Sequence, residues 1–222
     1  MTGAPGAVRG LRRFVAPRQA AAERCELCGV PVDERHRHLV DGDRRAIVCA
    51  CVPCALLFDR EGAGAGRFRT IPDRRLRAPG WSVDAAGWGT LGIPVSLAFF
   101  FRNSALGRVV ALYPSPAGAT ESEVDQDAFD AVFGTSPLAA ALTPDVEALL
   151  VRRGDGNRGG AGHGDVHLVP VDAAYELVGR LRSHWRGFDG GSDAHRELDA
   201  FFADLARTAR PVPPLPDGGA AP

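Results

Sequence analysis

The chain reads as an α+β protein. The expected architecture is a small treble-clef or zinc-ribbon-like four-cysteine module, followed by an antiparallel or mixed sheet with helices packed on one face. Three observations predict it. All five cysteines fall between Cys25 and Cys54, in two C-x2-C pairs and one extra thiol. Two runs rich in β-formers, 94–101 and 108–113, are joined by a short polar stretch, which predicts a hairpin. Later segments carry apolar residues at helical spacing, separated by strand-like runs. The order strand, strand, helix, strand, strand, helix, helix fits a layered α+β domain rather than a doubly wound nucleotide fold.

Along the chain, residues 1–22 (Ala, Gly, Pro and Arg with no apolar period) read as a disordered arm. Residues 23–80 form the cysteine module. In it Leu39 to Val48 supply a hairpin that turns at Asp41-Gly42-Asp43, and Ala55-Leu56-Leu57-Phe58 start a helix behind Cys54. Gly62-Ala63-Gly64-Ala65-Gly66 is a flexible joint. Residues 81–208 form the α+β domain. After its hairpin, Thr120-Glu121-Ser122-Glu123 has the form of a capping box, predicting a helix with Val124, Ala128, Val132 and Phe133 on one face. Residues 144–153 hold a strand or short helix, 154–164 a glycine-rich loop and 166–169 a short strand. Asp172 is placed to cap a helix with Ala174, Leu177, Val178, Leu181 and Trp185 inward, stopped at Gly187. Ser192 or Asp193 caps a last helix with Leu198, Phe201, Phe202 and Leu205 inward, and 209–222 read as a disordered tail.

At 222 residues and 45% hydrophobic content, the chain can bury one sizeable core plus a small module. No apolar run approaches the roughly 18 residues of a membrane span. Residues 1–10 lack the apolar centre of a secretory signal. A cytoplasmic setting is expected, where thiols stay reduced and metal is favoured over disulfides. Every one of the 26 basic residues is arginine, as in a GC-rich coding sequence, so arginine content alone argues for no phosphate ligand. The missing lysine removes any phosphate-binding loop that ends in Lys. Residues 1–80 carry 15 arginines against 9 acidic side chains, and 81–222 carry 11 against 18. Such a split has three readings: a basic nucleic-acid-binding half, two halves that dock on each other, or no functional meaning.

The cysteine spacing carries the strongest chemistry. Cys25, Cys28, Cys51 and Cys54 form two thiolate pairs with 22 residues between, the pattern of a tetrahedral metal site. Gly29 can take the positive φ that wraps the chain around a metal, and Cys51 and Cys54 sit where a helix begins. Zinc is the expected ion. Rubredoxin-like iron is the alternative, although the second pair lacks the glycine of a second knuckle. Four thiolates fill the shell and leave no place for a catalytic water, so the site reads as structural. Cys49 is a buried core thiol, a ligand in place of Cys51, or a redox-active or clustered thiol. His36 and His38 are possible additional ligands.

Weaker signals surround it. Cys25 to Gly29 followed by His36 and His38 resembles the start of HNH-type nucleases, but the second cysteine pair comes too early for their catalytic segment. Asp155-Gly156-Asn157 hints at a calcium loop, and Val166 stands where that loop needs Glu. His163, Asp165 and His167 alternate near a strand start and offer a possible metal pair.

Longer stretches carry a family resemblance. They are Cys25-Glu26-Leu27-Cys28-Gly29, Arg35-His36-Arg37-His38-Leu39 and the run from Cys49 to Phe58. Leu91-Gly92-Ile93-Pro94, Leu97-Ala98-Phe99-Phe100 and the phrase Tyr113-Pro114-Ser115-Pro116-Ala117-Gly118-Ala119-Thr120-Glu121 complete the set. Together they resemble an actinobacterial domain-of-unknown-function family encoded beside high-affinity uptake nickel–iron hydrogenases. The resemblance covers roughly residues 25–202 and brings no catalytic residues with it. It implies a non-catalytic accessory protein that assists hydrogenase assembly, maturation or electron coupling through a protein partner. Tyr113, Pro114, Ser115, Pro116, Ala117, Gly118, Ala119, Thr120 and Glu121 are the expected partner-binding loop, because recognition residues favour loops held by rigid elements. An iron redox protein and a nucleic-acid-binding or nuclease module are the competing expectations.

Overall fold

A computed structural model of the chain describes residues 23–60, 62–154, 164–187 and 190–212. The arm expected at 1–22, most of the glycine-rich loop and residues 213–222 of the tail lie outside the described residues.

The small module opens with strands β1 (Arg37–Asp41) and β2 (Ala46–Ala50) and helix α1 (Val52–Leu57). A 3-10 turn (Ala63–Gly66) then leads to strand β3 (Phe68–Thr70). The three strands pair antiparallel in the order β2-β1-β3. The β1–β2 turn is held by the fully buried Asp41 carboxylate, which accepts from Asp43 N at 3.2 Å and Arg44 N at 3.3 Å. Leu39, Val48 and Ala50 point to one face of this sheet and close a core with Cys25 and Ala55. Val40 and Ile47 point to the other face, as strand alternation requires.

The large sheet contains β4 (Leu76–Arg77), β5 (Leu97–Asn103), β6 (Arg108–Ser115) and β7 (Gly118–Glu123). It is completed by β8 (Glu147–Arg152), β9 (Asp165–Pro170) and β10 (Arg210–Pro211). Its order is β10-β4-β9-β8-β5-β6-β7, antiparallel throughout except for the β10–β4 pair, so the mixed α+β class holds. Helices α2 (Ala85–Thr90), α3 (Gln126–Phe133) and α4 (Pro137–Ala141) lie on one face. Helices α5 (Val171–His184) and α6 (Gly191–Thr208) lie on the other. Cover on both faces replaces the expected cover on one. The reason is visible in β5 and β8, which are apolar at every central position. Ala98, Phe100, Leu149 and Val151 meet Trp88, Phe129, Phe133 and Leu138. Leu97, Phe99, Ala148 and Leu150 meet Leu177, Leu181, Phe202 and Leu205. Each such side chain contributes on the order of 1.5–3 kcal/mol by leaving water.

Three local expectations are corrected. Thr120 to Glu123 do not start a helix; they pair with β6, Tyr113 opposite Thr120 and Val110 opposite Glu123. Strand pairing already satisfies the backbone there, and α3 is capped later, by Asp125 Oδ1 accepting from Ala128 N at 2.9 Å. Asp172 lies in the first turn of α5 rather than at its cap, which Pro170 occupies. The last helix starts from Gly190, at φ +91°, instead of Ser192 or Asp193. Within residues 144–153 the strand reading holds, as β8 over Glu147–Arg152.

The boundaries also shift. The large sheet reaches back to Leu76–Arg77 and forward to Arg210–Pro211, past the divisions expected at 80 and 208. The two parts meet through Val40, Ile47 and Ile71 against Val146 and Val171. Ion pairs ring this contact: His38 with Asp172, Arg45 with Glu121, Arg69 with Asp145 and Arg74 with Glu147. In each the cation comes from the first 80 residues and the anion from the rest.

Candidate metal centre

The chain around Cys25 turns back on itself. Gly29 N donates to Cys25 O at 2.8 Å and Cys25 N to Val30 O at 2.9 Å, with Gly29 at φ +78°, where an L side chain is strained. This is the knuckle the glycine predicts. Strand β2 delivers the second pair. Cys51 is the N-cap of α1, its carbonyl accepting from Ala55 N at 2.9 Å, with Pro53 in the first turn where its missing N–H costs nothing. Knuckle, hairpin and helix thus follow in treble-clef order. Thr70 Oγ1 donates to Ala55 O at 3.1 Å and the Phe58 and Phe68 rings pack at 5.0 Å, which fixes α1 against β3.

The four sulfurs of Cys25, Cys28, Cys51 and Cys54 lie within 4.8 Å of one another. Cys28 Sγ is 3.7 Å from Cys51 Sγ. Four thiolates at about 2.3 Å from a zinc ion stand roughly 3.8 Å apart, so the group fits a tetrahedral ion with little movement. Cys25 is buried and Cys28 exposed, which leaves an entry path from the knuckle side. None of the five cysteines is in a disulfide.

The electrostatics of the bare thiols explain why a cation belongs here. Burial raises the Cys25 pKa, but backbone N–H groups of Cys51, Cys28 and Leu27 outweigh it and bring it down to about 6. Cys54, hydrogen-bonded to the Cys51 and Cys28 sulfurs, is pushed up to about 12. One thiolate forms easily, and Cys28 and Cys54 then hold their protons. A dication removes that conflict, since it makes all four thiolates favourable and releases the protons.

The remaining cysteine is not in this group. Cys49 sits directly opposite His38 on the β1–β2 pair, on the face turned away from the four-sulfur core. Burial and the carboxylates of Glu23 and Glu26 push its thiol up. One donor atom each from His36, His38 and Cys49 lies within 4.8 Å of the others. The sequence marks these three as possible additional ligands but gives no sign of the residue that positions His38. That residue is Asp172, 134 positions away, whose Oδ2 lies 2.8 Å from His38 Nδ1.

The stretch from Tyr113 to Glu121 is not a loop ahead of a helix. Tyr113, Pro114 and Ser115 end β6; Gly118, Ala119, Thr120 and Glu121 begin β7; Pro116 and Ala117 are the turn between them. β7 is an edge strand, and Glu121 and Glu123 face the Arg108 side chain. Asp165 bonds to Arg152, and His167 is buried edge-on to Phe202, its pKa lowered by that burial. His163 lies outside the described residues.

Fold and site together define an α+β protein whose four-cysteine group, in a small module docked on a seven-stranded sheet, could hold a metal ion. Residues 24–209 match the family described as "Family of unknown function (DUF5947)", and the chain belongs to that family. No curated protein and no solved structure matches it. No helix among the described residues is long and apolar enough to cross a membrane.

Proposed function

We propose that the protein is a zinc-binding accessory factor that acts by contact with a protein partner and catalyses nothing at its four-thiolate centre. The observation that carries this reading is the closed donor set of Cys25, Cys28, Cys51 and Cys54, which leaves no coordination position for substrate or water. What the ion holds in place supports it further. Leu27 and Val30 on the knuckle and Val52, Leu56 and Leu57 on α1 are exposed, with Leu57 at 69%. Exposed apolar side chains gathered on a metal-stapled element are suited to a protein partner. The tip of the β6–β7 hairpin, within Tyr113 to Glu121, is a second contact surface.

The family resemblance directs the choice of partner to the nickel–iron hydrogenase system, where this protein assists assembly or maturation in the cytoplasm. Deleting its gene should lower assembled, active hydrogenase without abolishing subunit transcription. The Leu56→Asp/Leu57→Asp variant should reproduce the loss while its metal stays bound. Normal hydrogen uptake in the deletion strain would sink the reading. Elemental analysis of protein purified without added metal should give zinc; a red, iron-containing protein would replace accessory function with electron transfer.

A further inference from the structure

We propose that His36, His38 and Cys49 form a second metal site, open to solvent, that takes an exchangeable divalent transition-metal ion. It does not depend on the accessory reading. Strand pairing creates it. His38 and Cys49 are direct cross-strand partners on β1 and β2, and His36 precedes His38 by two positions, so the three side chains share one side of the hairpin. That side faces the large domain, whereas the sulfurs of the four-thiolate centre belong to the opposite core. The His36 and His38 rings are 4.6 Å apart.

The protonation pattern of both rings suits a ligand. His36 Nδ1 is 2.7 Å from Asp33 O, a carbonyl that can only accept, so Nδ1 carries the proton and Nε2 bears a lone pair. The His36 side chain is 6% exposed, and its Nε2 is buried with no hydrogen-bond partner among the described residues. A buried acceptor without a donor costs on the order of 1–3 kcal/mol, and a cation relieves that cost. His38 Nδ1 is held by Asp172 Oδ2 at 2.8 Å, which leaves its Nε2 as donor atom to a metal in the same way. Carboxylate behind imidazole is the usual support of a metal-bound histidine. Cys49 is fixed by reciprocal bonds to Glu26: Cys49 N to Glu26 Oε1 and Glu26 N to Cys49 O, both at 2.8 Å.

One potential donor atom from each of the three residues lies within 4.8 Å of the others. An ion at about 2.0–2.3 Å from each would draw them to roughly 3.3–3.7 Å apart, a shift of about one ångström that side-chain rotation supplies. Two imidazoles and one thiolate suit zinc and its borderline neighbours rather than calcium or magnesium. With three protein ligands, the fourth position is open. His36 and His38 line a broad cleft shared with Arg35, Asp73, Arg75 and Glu176.

The test is a titration of the full-length protein, carrying its tightly held first ion, with Co2+. We expect one further equivalent per chain, with four-coordinate d–d absorption and the charge-transfer intensity of a single thiolate, and no zinc released to a chelating dye. Asp172→Asn should weaken that equivalent by about 10- to 100-fold without changing the first. His36→Gln/His38→Gln should remove it while the first ion and the far-UV spectrum are kept. The proposal is overturned if cobalt only displaces the first ion, if saturation stops at one metal per chain, or if the double variant still takes two. Should the double variant fail to fold, Asp172→Asn decides: unchanged second-site affinity overturns the proposal.

Discussion

Single buried carboxylates fix this molecule both within the small module and at its joint with the large sheet, and two of them give separate predictions. Asp41 is fully buried and takes a bidentate bond from Arg67, Nε at 3.1 Å and Nη2 at 2.7 Å. That bond, opposed by burial and aided by the Arg44 N–H, holds the carboxyl below its usual range. A depressed folded pKa gives stability that is complete above the ordinary Asp value of about 3.9 and is lost as pH falls through the lowered value. Asp41→Asn should therefore lower stability at neutral pH, and the gap from wild type in urea unfolding should close toward acid. A gap that stays constant from neutral pH to acid would contradict this. At the joint, Glu147 is fully buried and Arg74 is not; they pair at 2.5 and 2.7 Å. Arg74→Met leaves a buried carboxylate unpaired and should cost about 3–5 kcal/mol. Glu147→Gln frees an arginine that can reach water and should cost less, so the order of the two melting temperatures checks the argument. Neither partner was legible from the sequence, because 73 positions separate them and local spacing carries no trace of a long-range ion pair.

At the scale of elements, the β1–β2 hairpin serves two cores at once. Leu39 belongs to the four-sulfur side and Val40 to the large-domain side. Leu39→Ala should cost about 3 kcal/mol and speed metal loss to a chelator. Val40→Ala should cost about 2 kcal/mol and leave the rate of metal loss unchanged. Equal acceleration by both would mean that the two faces are not separate. This is also the scale at which sequence reasoning worked best and failed most clearly. The knuckle, the hairpins and the α1 start were readable because Cys, Gly and Pro impose local geometry. The Thr120 to Glu123 box misled because the same residues sit well in an edge strand, where Thr is favoured and charged side chains discourage further pairing. Tertiary pairing with β6 decided between the two.

For the whole molecule, the sequence reads as two parts but carries no sign of where they join. Composition changes near residue 80, yet β4 and Arg74 belong structurally to the large sheet and to Glu147. A fragment of residues 72–212 should melt cooperatively and at a higher temperature than one of 81–212, which lacks both. If 72–212 only aggregates, the Val40, Ile47 and Ile71 contact is part of one indivisible core. If 72–212 melts on its own, chelation of the full chain should unfold residues 23–70 alone, read by protection of the β5, β6 and β8 amides in hydrogen exchange. The second helix layer was missed for a related reason: a strand that is apolar on both faces does not show from its own pattern how many layers will cover it.

The order of parts along the chain also sets a timetable for synthesis. All four sulfurs of the first centre, with the hairpin and helix that present them, are made by residue 57. Domains emerge and fold from the N-terminal end. The first ion can therefore be captured while the large sheet is still being translated. The Asp172 that steadies His38 arrives more than 100 residues later, and β4 waits for Arg210–Pro211 to reach its final neighbour. A growing chain can load the first centre early, whereas the support of the proposed second site arrives only with α5, so occupancy of that site would mark a polypeptide in which the hairpin has docked on α5.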